Sequence, residues 1–241
     1  MNIHLRRLAL GICLAAILQP AQAALTVNTT RIVFDSDKRS TSVVIANPSP
    51  RPYAVQNWIN TAKDDTDTAV PLATSPGLFR LDPGKEQMVQ INRLPNTLPE
   101  DRETLFYLNV QEIPEITPED VNVLNIALRT RLKLFYRPSQ LKDRPTDRIG
   151  DLKWSVRQGS GRVQLVVDNP TPYHYTFGRL EVTSAGSTEA IQAMAMAPPF
   201  GQQVYDLARI KAVNGLQLTF TTINDYGVAT PAVQKSLSSR P

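Results

Sequence analysis

From Leu25 onward, apolar and β-branched residues come in short runs separated by clusters of Asn, Pro, Gly and Asp. That is the pattern of many short strands joined by turns, with no sustained 3.6-residue helical period competing. The runs predict strands over 32–34, 41–46, 53–59, 87–92, 104–112 and 123–136, and a second set over 154–158, 162–169, 173–183, 203–206 and 216–223. Between them the turn chemistry is explicit: Pro48, Pro50 and Pro52 fix φ, and Asp82-Pro83-Gly84 puts glycine where a turn needs a permissive residue. Roughly six or seven strands in each half predict an all-β chain of two sandwiches. Prolines 138 and 145 and the mixed charges of 142–147 interrupt the apolar pattern between the halves. The expected division is an N-terminal domain over 24–140, a linker over 141–149 and a C-terminal domain over 150–241. The tail after Pro231 has little apolar periodicity and reads as partly disordered. Two related phrases, 47–53 and 168–173, each follow an apolar strand and precede another. An internal repeat and convergent turn chemistry explain them equally well.

One run stands apart. The segment 123–136 is longer than the usual strand of about five or six residues. Its first half alternates Leu124, Ile126 and Leu128 on one face with Asn125, Ala127 and Arg129 on the other. By periodicity alone a core strand is the better reading. An edge strand that offers its apolar side chains and free backbone groups to another protein fits the same letters.

The first 23 residues change what the composition means. A charged start with Arg6 and Arg7, an apolar run over 8–18 and the small residues Ala21-Gln22-Ala23 read as a secretory signal peptide cleaved after Ala23. The apolar run is too short to span a bilayer, and no other membrane-spanning candidate exists. Ala24 stands where a lipoprotein would need cysteine. The single cysteine, Cys13, departs with the leader, so the mature chain enters an oxidising compartment without a thiol and must fold by burial and hydrogen bonding. Losing Arg6 and Arg7 leaves 24 of the 26 basic residues against 22 acidic ones, dispersed rather than clustered, which argues against nucleic-acid binding.

Catalytic inventories come up short as well. The mature chain carries one histidine, His174, in a strand-like Tyr173-His174-Tyr175 setting that fits an ordinary packed or surface residue. The acidic cluster at 64–67 lacks the glycine and distal glutamate of a calcium loop and reads as a solvated hairpin tip. There is no Gly-x-Ser-x-Gly nucleophile turn and no glycine-rich phosphate loop. The expectation is a protein with no catalytic residue, no metal and no cofactor.

The segment Val123-Leu124-Asn125-Ile126-Ala127-Leu128-Arg129-Thr130-Arg131-Leu132-Lys133-Leu134-Phe135-Tyr136-Arg137-Pro138 resembles the signature of the periplasmic chaperones of the chaperone–usher pathway, the PapD-like family. Thr30-Arg31-Ile32-Val33-Phe34, the phrases at 77–84 and 101–107, and Ile223-Asn224-Asp225-Tyr226-Gly227 extend the likeness over nearly all of the mature chain. The resemblance implies two immunoglobulin-like domains in a boomerang arrangement, located in the periplasm. It implies that Arg31 and Lys133 anchor a pilus subunit's C-terminal carboxylate in the interdomain cleft, a task suited to a guanidinium beside an ammonium. It implies that Leu124, Ile126 and Leu128 enter the subunit's groove as a donated strand, that Glu103, Arg137 and Asp225 form an interdomain ion-pair set, and that the subunit passes to an outer-membrane usher. The chain departs from the family pattern at Thr74-Ser75-Pro76-Gly77-Leu78, where two adjacent prolines are usual. A short 112–123 connection resembles the short-loop subclass. Whether the free chaperone caps its strand by self-association stays open.

Lys133 has the opposite parity from Leu124, Ile126 and Leu128. Either a bulge or strong twist intervenes, or the two features address different surfaces. The rival reading is a tandem immunoglobulin-like pilin or adhesin, which would leave Arg31 and Lys133 without a role.

Overall fold

The computed structural model describes residues 25–65, 67–115, 126–159, 161–211 and 213–239. The leader expected over 1–23, the connection over 116–123 and Leu124 lie outside them. The first half is built from β1 (Thr26–Val27), β2 (Arg31–Asp35), β3 (Ser40–Ala46), β4 (Tyr53–Asn60), β5 (Leu72–Ser75), β6 (Leu78–Leu81), β7 (Glu86–Arg93), β8 (Thr104–Pro114) and β9 (Arg129–Arg137). They form two sheets, β1-β3-β7-β5 and β2-β9-β8-β4-β6. Alternation drives the packing: in β2 the side chains of Ile32 and Phe34 are buried while Arg31, Val33 and Asp35 are half-buried. Phe34, Ile45, Val55, Val89, Ile91, Leu108 and Leu134 meet between the sheets, each fully buried side chain contributing roughly 1.5–3 kcal/mol.

The second half contains β10 (Lys153–Gly159), β11 (Arg162–Asn169), β12 (Phe177–Ser184), β13 (Ser187–Ala190), β14 (Gly201–Leu207), β15 (Gln217–Thr222), β16 (Val233–Ser236) and β17 (Ser238–Ser239). Its sheets run β14-β11-β10-β17 and β13-β12-β15-β16. Trp154 anchors this core, its ring centroid 5.0 Å from Phe220 and 5.2 Å from Phe177. Both halves are therefore sandwiches closed by apolar and aromatic burial.

The structure departs from the sequence reading in several places. The tail is not loose over its described part: β16 pairs with β15, β17 pairs with β10, and Leu237 between them is buried in the second core. One buried leucine in a polar tail is too sparse a signal for periodicity to register. The strand expected over 173–183 starts only at Phe177, because Tyr173 to Thr176 turn and leave a single bridge between Tyr175 and Ala197. The linker contains a 3-10 helix, Pro145–Asp151. The Tyr173 and Tyr175 hydroxyls hold it by donating to the carbonyls of Asp143 and Pro145.

The two proline phrases prove to be one device used twice. Asn47, just after β3, donates its amide to the Arg51 and Leu81 carbonyls, while its side-chain oxygen accepts from the Ser49 amide and hydroxyl. Asn169, at the end of β11, donates to the carbonyls of Tyr173 and Pro198 and accepts from the Thr171 amide and hydroxyl. Both asparagines are buried, and each supplies hydrogen bonds that the prolines following it, without an N–H, cannot donate.

Candidate functional site between the domains

β9 runs from the far tip of the first sandwich to the junction with the second, and its two faces do different things. The even positions Leu132, Leu134 and Tyr136 point into the first core. The odd positions Arg131, Lys133, Phe135 and Arg137 share the opposite face, where Lys133, Phe135 and Arg137 meet the second domain. Ile126 and Leu128 have the parity of the core face but lie beyond it, 60% and 53% exposed. Between Leu128 and Lys133 the parity conflict is thus settled without a bulge: the lysine faces the opposite way from Ile126 and Leu128.

β9 is also shorter than the sequence run. The Glu112 amide still donates to the Leu128 carbonyl at 3.0 Å. In an antiparallel ladder the next donor toward Ile126 would be residue 114, and Pro114 has no N–H. Ile126 and Ala127 consequently lie past the paired part of β9, and Leu128 keeps only this bond to β8. On its other side β9 pairs in parallel with β2 only from Arg31↔Lys133 onward. Before Lys133, that edge of β9 has no strand beside it among the described residues.

Arg31 and Lys133 are brought together at this point, as register partners on adjacent strands. Arg31 crosses to the second domain, where Nη1 donates to the Ile223 carbonyl at 2.9 Å, and its guanidinium carbon lies 5.9 Å from the Phe135 ring centroid. Its Nε is buried with no protein partner. Lys133 Nζ donates to the Thr176 hydroxyl at 3.1 Å. Neither cation forms an ion pair with a carboxylate among the described residues. Burial, reinforced by the like charge of Arg31, pushes the Lys133 ammonium down to about 8. Burial likewise lowers Arg31 from its ordinary value, against the opposing charges of Asp225 and Glu103. Two half-buried cations that repel each other, both holding only neutral oxygens, have the chemistry to accept an anion such as a carboxylate.

Glu103, Arg137 and Asp225 also come together. Arg137 lies 2.8 Å from Glu103 and holds Asp225 through two bonds of 2.8 Å. Burial opposes its charge, but hydrogen bonds and charges from the two carboxylates outweigh this and raise its affinity for the proton. Glu103 Oε2 accepts the His174 amide at 2.8 Å, and the Glu103 amide donates to the Pro172 carbonyl. Glu103 therefore joins the domains through backbone as well as charge.

Sequence reasoning missed four contributors. Thr176, the Ile223 carbonyl and Phe135 complete the surroundings of the cationic pair. Gly227, inside the phrase that begins at Ile223, has φ +81°, and a Cβ there would lie 2.1 Å from the Thr30 hydroxyl oxygen. The odd parity of Phe135 was legible; the others depend on contacts between distant segments.

No helix among the described residues is long and apolar enough to cross a membrane. Family models match both halves: "Pili and flagellar-assembly chaperone, PapD N-terminal domain" over 24–142 and "Pili assembly chaperone PapD, C-terminal domain" over 147–234. The chain is similar to the Bordetella pertussis chaperone protein FimB/FhaD, 37% identical with 92% of this chain and 93% of the relative covered. It is 35% identical to the Escherichia coli chaperone protein PapD, over 88% of this chain and 86% of that one. The crystal structure of the YadV chaperone matches with a TM-score of 0.76 and 32% identity, covering 88% of this chain and 100% of its own.

Proposed function

The chain belongs to the PapD family of pilus-assembly chaperones, and from that premise we propose how its residues hold a subunit. A pilus subunit docks its C-terminal strand along the open edge of β9, and its terminal carboxylate seats between Arg31 and Lys133. The direction follows from the register. β2 lies parallel to β9 and begins at Arg31, so a strand whose C-terminus stops at Arg31 must also run parallel to β9, occupying the line that β2 vacates. On the other face Ile126 and Leu128, with Leu124 before them, enter the apolar groove of a subunit that lacks a strand. The Glu103, Arg137 and Asp225 set holds the angle at which the second domain closes over the anchor.

The observation that carries this reading is the cationic pair at the end of an unpaired edge, half-buried and free of any carboxylate partner among the described residues. Chaperone work of this kind needs no catalytic group, and the protein acts as a binder rather than an enzyme. The expected leader and the family support a periplasmic setting for this work, with hand-over to an outer-membrane usher. The pilin reading leaves the Arg31 and Lys133 pair unexplained.

The test is co-expression with a candidate subunit. Wild type yields a soluble one-to-one complex. Arg31→Ala and Lys133→Ala remain folded, since neither side chain is part of a core, and lose the subunit from periplasmic extracts by at least about tenfold, as expected when a charge-assisted bond to a carboxylate is removed. Undiminished subunit yield with both variants would overturn the anchor.

A further inference from the structure

The first sandwich buries a carboxylate for which subunit docking has no use. β8 turns Phe106, Leu108 and Val110 into the core, and the next residue of that parity is Glu112. Its exposure is 6%, and its Oε2 has no hydrogen-bond partner. No cation faces it among the described residues: burial lifts the carboxyl above its ordinary range, and the opposing influence is a hydrogen bond from the backbone N–H of Leu25. The connection over 116–125 contains no Lys, Arg or His that could supply one. A lone carboxylate in a core is costly, and a glutamine would serve a single N–H without a charge to desolvate.

Leu25 stands where the chain enters the fold. It is buried in the same core, and the two residues after it form β1, which pairs with β3 in the sheet opposite β8. Ala24 lies outside the described residues, one peptide bond away. Covalent geometry alone keeps its nitrogen about 2.7–3.7 Å from the Leu25 nitrogen, whatever the torsion between them. A carboxylate that accepts the Leu25 N–H therefore has the preceding nitrogen within reach of its second oxygen. Successive backbone nitrogens turned toward one anion form a concave nest that binds such groups.

We propose that Glu112 is the receptor for the mature chain's own N-terminal ammonium, created when the leader is cut after Ala23. Hydrolysis adds one water across the Ala23–Ala24 bond, leaving a carboxylate on the leader and an α-amine on Ala24 that takes up a proton near neutral pH. In the precursor the same nitrogen is a neutral amide, and the carboxylate has no counter-charge. Leader removal thus supplies the charge that completes this end of the first sandwich. The Glu112 amide also holds the Leu128 carbonyl, so processing and the exposed Ile126–Leu128 segment meet at one residue. This proposal does not depend on where a subunit docks.

The test starts from the full mature protein secreted with its own leader, its terminus read by intact mass. It is compared with the same protein after transamination in urea, which converts the α-amine to a ketone and spares lysine side chains, followed by refolding. Loss of the amine should raise the unfolding equilibrium constant from urea titrations about ten- to a hundredfold, the range of a hydrogen bond to a charged group. In Glu112→Gln the same conversion should change it less than about threefold, the non-additivity of a direct pair. Equal losses in both backgrounds overturn the pairing and leave Oε2 to a buried water. A second measurement needs no variant. An ammonium held by a carboxylate gives up its proton less readily, so acylation of the α-amine at about pH 8, followed by the mass of the N-terminal peptide, should run at least about fivefold slower in the native wild type than in urea. Equal rates, or a secreted chain that does not begin at Ala24, overturn the proposal even if Glu112→Gln does not fold.

Discussion

Lys133 owes its chemistry to two neighbours that lie far away in sequence or on another strand. Burial together with the Arg31 charge brings its ammonium to about 8, from an ordinary 10.5. Between those values the unfolded chain binds more protons than the folded one, so this residue makes the free protein more stable as pH rises from about 8 toward 10.5. Carboxylate binding runs the other way, because the bound anion needs the ammonium. Affinity for a C-terminal carboxylate peptide should be flat below about pH 7 and fall toward tenfold per pH unit above about 8, with proton uptake visible as a buffer-dependent heat of binding. Lys133→Arg should remove that pH dependence, since a guanidinium stays charged; an unchanged profile in this variant would assign the titration elsewhere. The identity of Arg31 and Lys133 as a pair was legible in the flanking motifs. Their half-buried, carboxylate-free state was not, because the Thr176 hydroxyl and the Ile223 carbonyl come from the second domain.

At the scale of the element, β9 shows how far alternation can be read. Even and odd positions keep their faces from Leu128 to Arg137, so alternation separated the even, apolar face from the face of Lys133, but it could not separate the exposed Ile126 and Leu128 from the buried even positions whose parity they share. Where the strand pairing stops could not be read from the run itself, since the cause is a missing N–H on β8, at Pro114. Most other strands were legible to within a residue or two because they alternate over five or more positions. The short strands β1, β5, β6, β13, β16 and β17 carry too few letters to alternate visibly. The exposed part of β9 makes a clean prediction. Ile126→Asp and Leu128→Asp remove no core contact, so stability measured by urea unfolding should change by no more than about 0.5 kcal/mol. Subunit binding should fall by at least about tenfold, because each carboxylate would enter an apolar groove. Ile126→Leu should bind nearly as wild type. A destabilised Asp variant would mean that these side chains pack on the chaperone itself.

At the scale of the whole molecule, two of the contacts that join the domains, a buried charge set and a close approach at a glycine, should fail differently. Glu103 is nearly inaccessible, with 1% of its side chain exposed, whereas Asp225 keeps 33%. Arg137→Ala strands a buried carboxylate and should cost about 3–5 kcal/mol, seen as an earlier, broadened urea transition as the domains part. Asp225→Asn, which solvent can still reach, should cost about 1 kcal/mol. The close contact is Gly227. Its φ of +81° suits glycine, and an added Cβ would also press on Thr30, 2.1 Å from the hydroxyl oxygen and 3.4 Å from Cβ. Thr30 is β-branched, with few rotamers by which to yield, and it directly precedes Arg31. The push from the second domain would therefore be delivered to the anchor itself. Gly227→Ala should weaken carboxylate-peptide binding by about tenfold and widen the interdomain angle in small-angle X-ray scattering, while each sandwich keeps its fold. Adding Thr30→Gly removes the obstacle but leaves the strained φ, so the double variant should recover most of the affinity while staying about 1 kcal/mol less stable than Thr30→Gly alone. Recovery of neither would make backbone strain at the turn, rather than the contact with Thr30, the reason glycine stands there.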